Sequence, residues 1–294
     1  MPAGTAVSAL RLGRRTFEPH ALVVMAIVNR TPDSFFDQGA FVADDAALAA
    51  VDRAVEEGAD IVDVGGVKAG PGPEVDATEE VRRTAGLVAA IRSRHPDLVI
   101  SVDTWRAQVG RAVCQEGADL LNDAWGGPDP GLAEAAAEFG AGLVCSHAGG
   151  LPPRTDPHRV TYDDVMADVV ATVTGLAERA VAAGVRPDGI LVDAAHDFGK
   201  NTYHSLEVTR RLGELVATGW PVLVAVSNKK FLGEVLDADK DGRLEGTLAA
   251  TAWCAAQGGR VFRAHQVGAT RRVLDTVAAI RGTQPPAVTR RALA

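Results

Sequence analysis

Lysine is scarce in this chain. Only 5 of its 30 basic residues are Lys and 25 are Arg, a bias that fits GC-rich coding and makes each Lys worth locating. Cysteine is scarcer still: Cys114, Cys145 and Cys254 are odd in number, far apart and form no C-x-x-C. That excludes a disulfide scaffold and leaves reduced, packed thiols of a cytosolic protein. No apolar run approaches the roughly 18 residues of a membrane-spanning helix. The N-terminal "MPAGTAVSALRLGRRTFEPH" has no long apolar stretch ahead of its Arg pair, so no signal peptide is expected. Positive charge is in deficit too. The net charge of -8 and pI near 5.4 argue against nucleic acid or an anionic membrane as a partner.

What is present is an α/β pattern. The 294 residues are 47% hydrophobic, ample for a core. Short β-rich runs alternate with longer Ala-rich helical ones. Strands are expected at 22–28, 60–64, 98–102, 118–121, 142–146, 189–193, 221–226 and 260–263. Helices are expected near 43–57, 78–94, 105–116, 131–139, 163–183, 203–217, 245–257 and 268–281. Near-continuous apolar strands such as "PVLVAV" fit a parallel sheet covered on both faces. Alternating βα units build either a doubly wound sheet or a barrel. Eight units favour a single-domain (β/α)8 TIM barrel, which commonly runs to about 250 residues. The barrel is expected over 21–283, with residues 1–20 as an N-terminal extension and 284–294 as a flexible tail.

The polar residues of interest fall just after the strands. Asn29 follows the first, Gly65-Gly66-Val67-Lys68 the second, and Asp103 the third. Asn122-Asp123, His147, Asp193, Ser227-Asn228-Lys229-Lys230 and Arg263-Ala264-His265 mark the remaining strand ends. In a barrel these ends share one rim, and the rim carries the active site. Asp103, Asn122, Asp193 and Lys229 together offer paired donors and acceptors, which suits a flat nitrogen-rich heterocycle better than a sugar. Arg263 and His265 are two apart on a strand end and point the same way. With Asn29 they suit an anionic group, because the Arg fork binds two oxygens; a rim salt bridge is the plainer role for Arg263. "DADKDGRLEG" from Asp237 starts like a calcium loop, but its twelfth position is Leu248, so a solvated acidic loop is expected. His147 has no second ligand at metal spacing and reads as a packed rim residue.

Seven stretches resemble the dihydropteroate synthase family in order: "MAIVNRTPDSFFDQGAF", "DIVDVGG", "SVDTWRA", "LLNDAWGG", "LVDAAHDFGK", "VAVSNKKFLG" and "RVFRAHQV". The resemblance implies a barrel, a cytoplasmic homodimer, Mg2+ as cofactor, and condensation of a dihydropterin methyl pyrophosphate with p-aminobenzoate. Carried over by position, Asp103, Asn122, Asp193 and Lys229 bind the pterin ring. Asn29, Arg263 and His265 bind the pyrophosphate, and Asn29 also touches Mg2+. The stretch from Thr31 to Phe35 is then a mobile loop that closes over the leaving pyrophosphate. The implied chemistry loses pyrophosphate, leaves an electron-deficient methylene stabilised through the Asp193 carboxylate, with Lys229 as the other residue assigned to catalysis, and admits attack by a neutral aryl amine.

The chain also departs from the family. The family's second loop reads G-G-E-S-T-R-P-G, and here it reads Gly65-Gly66-Val67-Lys68-Ala69-Gly70-Pro71-Gly72. Lys68, Ala69 and Gly70, with Ser227, are thus a degenerate second-substrate set, and a Lys point charge does not replace an Arg fork. The sixth loop replaces an apolar, Gly-rich wall of the family's site with His196 and Asp197, and the fifth replaces a Met that packs on the pterin with Ser146. This pattern resembles the divergent second paralogue of high-GC bacteria, a group regarded as lacking synthase activity. Three functions remain open: an active synthase, for p-aminobenzoate or a different amine; a pterin- or phosphate-binding protein with little or no turnover; and a pterin-dependent methyltransferase. The retained Asn29, Arg263 and His265 speak against the last.

Overall fold

A computed structural model describes residues 9–29, 40–155 and 159–291. The expected closing loop at Thr31–Phe35 lies outside them. An antiparallel hairpin, β1 (Leu10–Leu12) and β2 (Arg15–Phe17), precedes the barrel. Eight parallel strands follow: β3 (Val23–Asn29), β4 (Ile61–Gly65), β5 (Val99–Asp103), β6 (Leu120–Asp123), β7 (Gly142–Ser146), β8 (Ile190–Asp193), β9 (Val222–Val224) and β10 (Val261–Ala264). They close in sequence order, with β10 pairing to both β9 and β3. The helices are α1 (Ala40–Glu56), α2 (Ala77–Arg94), α3 (Ala107–Gln115), α4 (Gly131–Phe139), α5 (Val165–Ala182), α6 (Thr202–Arg210), α7 (Leu212–Val216), α8 (Lys230–Leu236), α9 (Leu244–Ala256) and α10 (Val267–Ile280). The (β/α)8 expectation holds.

The two-residue period of a strand divides its side chains between two cores. Val24, Val62, Ile100, Leu121, Cys145, Val192, Val224 and Phe262 face outward under the helices. Val23, Met25, Ile61, Val99, Leu120, Val144, Leu191, Leu223 and Val261 face inward and form an apolar plug. Leu10, Leu12 and Phe17 of the hairpin pack onto this plug from the N-terminal end. Each such side chain, fully buried, contributes about 1.5–3 kcal/mol. Arg260 ties the hairpin down by donating to the Phe17 and Glu18 carbonyls at 2.8 and 2.7 Å. The expected single helix over 203–217 is two, α6 and α7, which meet at Arg211.

Candidate functional site

Two residues above the plug, the inward positions turn polar: Asp63, Ser101, Asn122, Ser146, Asp193 and Arg263. A polar layer on an apolar floor, at the C-terminal strand ends, is where a barrel holds its ligand. A cavity of about 280 Å³ opens above it. Asp103, Asn122, Asp193, Lys229, Arg263 and His265 all line it. Six of the residues expected at the site are therefore brought together.

Burial governs their electrostatics. The Asp103 carboxyl is pushed up to about 7 by desolvation, against the pull of Arg263. Desolvation also raises Asp193, opposed by the Ala195 N–H at 2.8 Å and by Lys229. Lys229 is lowered by burial, and its ammonium lies 4.3 Å from the Phe198 ring centre. His265 is lowered to about 4, first by burial and then by Arg263, so it works as a neutral imidazole. Its Nδ1 lies 2.9 Å from Ser227 Oγ, which also accepts the His265 N–H at 3.1 Å. Ser227, expected beside the second-substrate loop, therefore stands in the main cavity as the partner of His265.

Arg263 is not an unengaged fork. Its Nε donates to Asp63 Oδ2 at 2.6 Å and its Nη2 to Asp103 Oδ2 at 3.0 Å. The plainer rim salt bridge expected for Arg263 is thus present, and Nη1 is the nitrogen it leaves unused among the described residues. Asn29 ends β3 beside Gly65 and does not line the cavity.

A second cavity of about 200 Å³ adjoins the first and is lined by Ala69, Gly70, Trp125, Asp197, Phe198 and Lys230, among others. Ala69 offers it a methyl group and Gly70 no side chain. Lys68 lines neither cavity. The loop itself is held from outside: Arg83 donates to the Gly66 carbonyl at 3.0 Å, Arg154 to Gly70 and Pro73 at 3.2 and 2.7 Å, and Arg106 to Val75 at 2.7 Å.

The loop after β8 corrects another expectation. His196 was expected in the cavity wall, but it is fully buried, lines neither cavity and stacks on Phe231 at 5.7 Å. Asp197 caps α8, accepting from the Lys230 and Phe231 N–H groups at 2.5 and 3.3 Å. Gly199 has φ +58, and a Cβ there would sit 2.5 Å from the Ala148 carbonyl oxygen, so only Gly fits. Lys200 closes the loop by donating to His147 Nδ1 at 2.6 Å and to the His147 and Phe198 carbonyls at 2.9 and 3.0 Å. Burial lowers Lys200 to about 7. His147 passes the chain on to Asp168 at 2.6 Å and is a packed residue, as expected.

Sequence reasoning missed Asp63, Phe198, Lys240 and Lys200. Lys240 reaches the main cavity from the acidic loop dismissed as a calcium site. The rarity of Lys was the one signal that pointed to it.

The pterin binding enzyme family model matches residues 25–265. The chain belongs to the pterin-binding enzymes. Within them it is 60% identical over 276 residues to a Mycobacterium leprae protein named inactive dihydropteroate synthase 2, covering 92% of this chain and 95% of that one. It is 35% identical over 252 residues to the dihydropteroate synthase of Haemophilus influenzae, covering 85% and 91%. The Yersinia pestis dihydropteroate synthase, solved with a sulfonamide drug, superposes with a TM-score of 0.86 at 34% identity, covering 94% of this chain and all of that one. The chain is thus a dihydropteroate synthase-family barrel similar to both named synthases and named inactive paralogues. No helix among the described residues is long and apolar enough to cross a membrane.

Proposed function

We propose that the chain binds a dihydropterin carrying a methyl pyrophosphate, and condenses it with p-aminobenzoate slowly or not at all. One observation carries the reading. The 280 Å³ cavity brings together all four expected ring partners with Arg263 and His265, whereas the adjoining cavity has only Ala69 and Gly70 on its second-loop side. The name of the M. leprae relative supports the same division.

Within the first cavity the roles follow from the partners. Asp193 spends one oxygen on the Ala195 N–H and has the other for a ring N–H pair. Lys229, packed on Phe198, offers a cation beside it. Arg263 Nη1 and the neutral His265 face the anionic tail. Loss of pyrophosphate leaves a cationic methylene that the Asp193 carboxylate stabilises through the ring; a neutral amine attacks it, and the ammonium so formed gives its proton to water or to the departing pyrophosphate, so no protein base is needed. In the second cavity nothing from residues 69 and 70 orients that amine, and displacement of about 1 Å costs on the order of a hundredfold in rate.

Mg2+ fits this site as an ion carried by the ligand. No group of three His, Cys, Asp or Glu among the described residues could hold a metal alone. Asn29 would supply one oxygen, with the diphosphate and water supplying the rest, since Mg2+ keeps several of its waters. The ion would neutralise charge on the departing pyrophosphate.

The reading also carries a cytoplasmic homodimer. Tyr203, Val235, Leu236 and Trp253 are exposed on α6, α8 and α9, which pack against one another. Calorimetric titration with the pterin pyrophosphate and Mg2+, at matched protein, tests the binding half directly. Saturable binding is expected, and absence of binding contradicts it.

A further inference from the structure

We infer that Asp63 is a positioning residue of the main cavity: its carboxylate fixes the Asn122 amide and the Arg263 guanidinium in the orientation that meets the ligand. The inference takes its ligand from the pterin reading above, but its geometry is independent of that reading.

Asp63 is fully buried in the middle of β4 and does not touch the cavity. Its Oδ1 accepts from Ser101 Oγ at 2.6 Å. Its Oδ2 accepts from Asn122 Nδ2 at 3.1 Å and from Arg263 Nε at 2.6 Å. The donors come from β5, β6 and β10, so one carboxylate spans half the barrel. An ionised carboxylate only accepts hydrogen bonds. The amide of Asn122 must therefore turn its NH2 inward, which leaves Oδ1 as the acceptor available to a ring N–H. Had the partner been a hydroxyl or a second amide, either rotamer would serve and the selectivity would be lost.

The same logic applies to Arg263. Nε is held by Asp63 and Nη2 by Asp103, on two different strands. Two anchors define the plane of the guanidinium, and the remaining Nη1 edge is aimed rather than free to swing. A buried guanidinium with Asp103 as sole partner would lack the second anchor. Preorganisation of this kind reduces the ordering cost of binding.

Asp63→Asn tests the inference. It keeps the volume but removes the charge and leaves one acceptor oxygen, so its NH2 faces either Asn122 and Arg263 or the Ser101 hydroxyl, and the charge-assisted bonds are lost in both orientations. Affinity for the pterin pyrophosphate, measured by calorimetry on folded protein, is expected to fall at least about 30-fold, within the range for charge-assisted bonds. The loss should be non-additive with Asn122→Ala, because that variant removes the same amide; a role confined to stability would leave the two losses additive. In the wild-type protein the Arg263 Nε–H, assigned in 15N spectra through Arg263→Lys, should exchange slowly with solvent, and in Asp63→Asn it should exchange at least about tenfold faster. Folded Asp63→Asn that binds within threefold of wild type, additive losses, or rapid Nε–H exchange in the wild type would each overturn the inference. Should Asp63→Asn not fold, the wild-type exchange rate decides. Should the wild-type protein not bind the pterin pyrophosphate, the reading of the preceding subsection fails, and the same exchange measurement still decides the role of Asp63.

Discussion

Asp193 carries the most direct prediction at the residue scale. With one oxygen on the Ala195 N–H, its other oxygen is the acceptor that the proposed function assigns to a ring N–H pair. Asp193→Ala should weaken pterin binding by about 1.5–3 kcal/mol or more, and unchanged affinity in a titration would show that the ring is held elsewhere. His196 gives a pH prediction. Desolvation lowers its imidazole to about 3, and neither ring nitrogen has a partner. A group depressed in the folded state contributes stability that is present above its ordinary value near 6.5 and is lost as pH falls towards 3. His196→Phe keeps a ring against Phe231 and removes the proton site. Between pH 7 and pH 5 the wild type should lose about 1–2 kcal/mol more than the variant, read from denaturant melts. Parallel curves would contradict this. The rim residues Asp103, Asn122, Asp193, Lys229, Arg263 and His265 were legible because each stands at a strand end within a recognisable stretch. Asp63 was not, since a single Asp inside "DIVDV" looks like part of the strand until three strands are seen to converge on it. His196 was misplaced because a polar residue in a rim loop looks like a wall residue, and only packing shows that it belongs to the core.

The second loop, residues 66–76, is the element on which activity turns. It gives the site only the Ala69 methyl group, yet Arg83, Arg106 and Arg154 hold its carbonyls from α2, from the start of α3 and from the loop after β7. Arg154 bridges two rim loops, so Arg154→Ala should raise hydrogen exchange of the 70–75 amides at least about tenfold and leave the strands unchanged. Unaltered exchange there would mean the loop is held by its other contacts. Helix α8 shows why elements of this region escape sequence reasoning. It has seven residues, and Lys229 at its start provides no side-chain cap; the cap is Asp197, which the fold brings from another loop. The three-residue strands β1 and β2 were similarly unreadable, being too short to show a period of two.

At the scale of the whole molecule, the count of eight successive βα units favoured the barrel over a doubly wound sheet, and the strands do close in sequence order. An oligomer surface has no such pattern. Leu236 and Trp253 are 44% and 54% exposed on neighbouring helices. Light scattering on the wild type should give the mass of a dimer, and Leu236→Glu with Trp253→Glu should give a monomer; a monomeric wild type would contradict the proposed interface. The central claim is that the barrel retains its pterin cavity but lacks the amine side. Turnover of the pterin pyrophosphate with p-aminobenzoate, on wild-type protein shown by titration to bind the pterin, tests it most directly. The account predicts a rate at least about a thousandfold below that of an ordinary family member assayed alongside, from misplacement of the amine and weaker stabilisation of the leaving pyrophosphate. It also predicts partial recovery in Val67→Glu/Lys68→Ser/Ala69→Thr/Gly70→Arg, since a side chain begun at Gly70 meets nothing within 4 Å. An ordinary family rate from the unaltered protein would contradict the account.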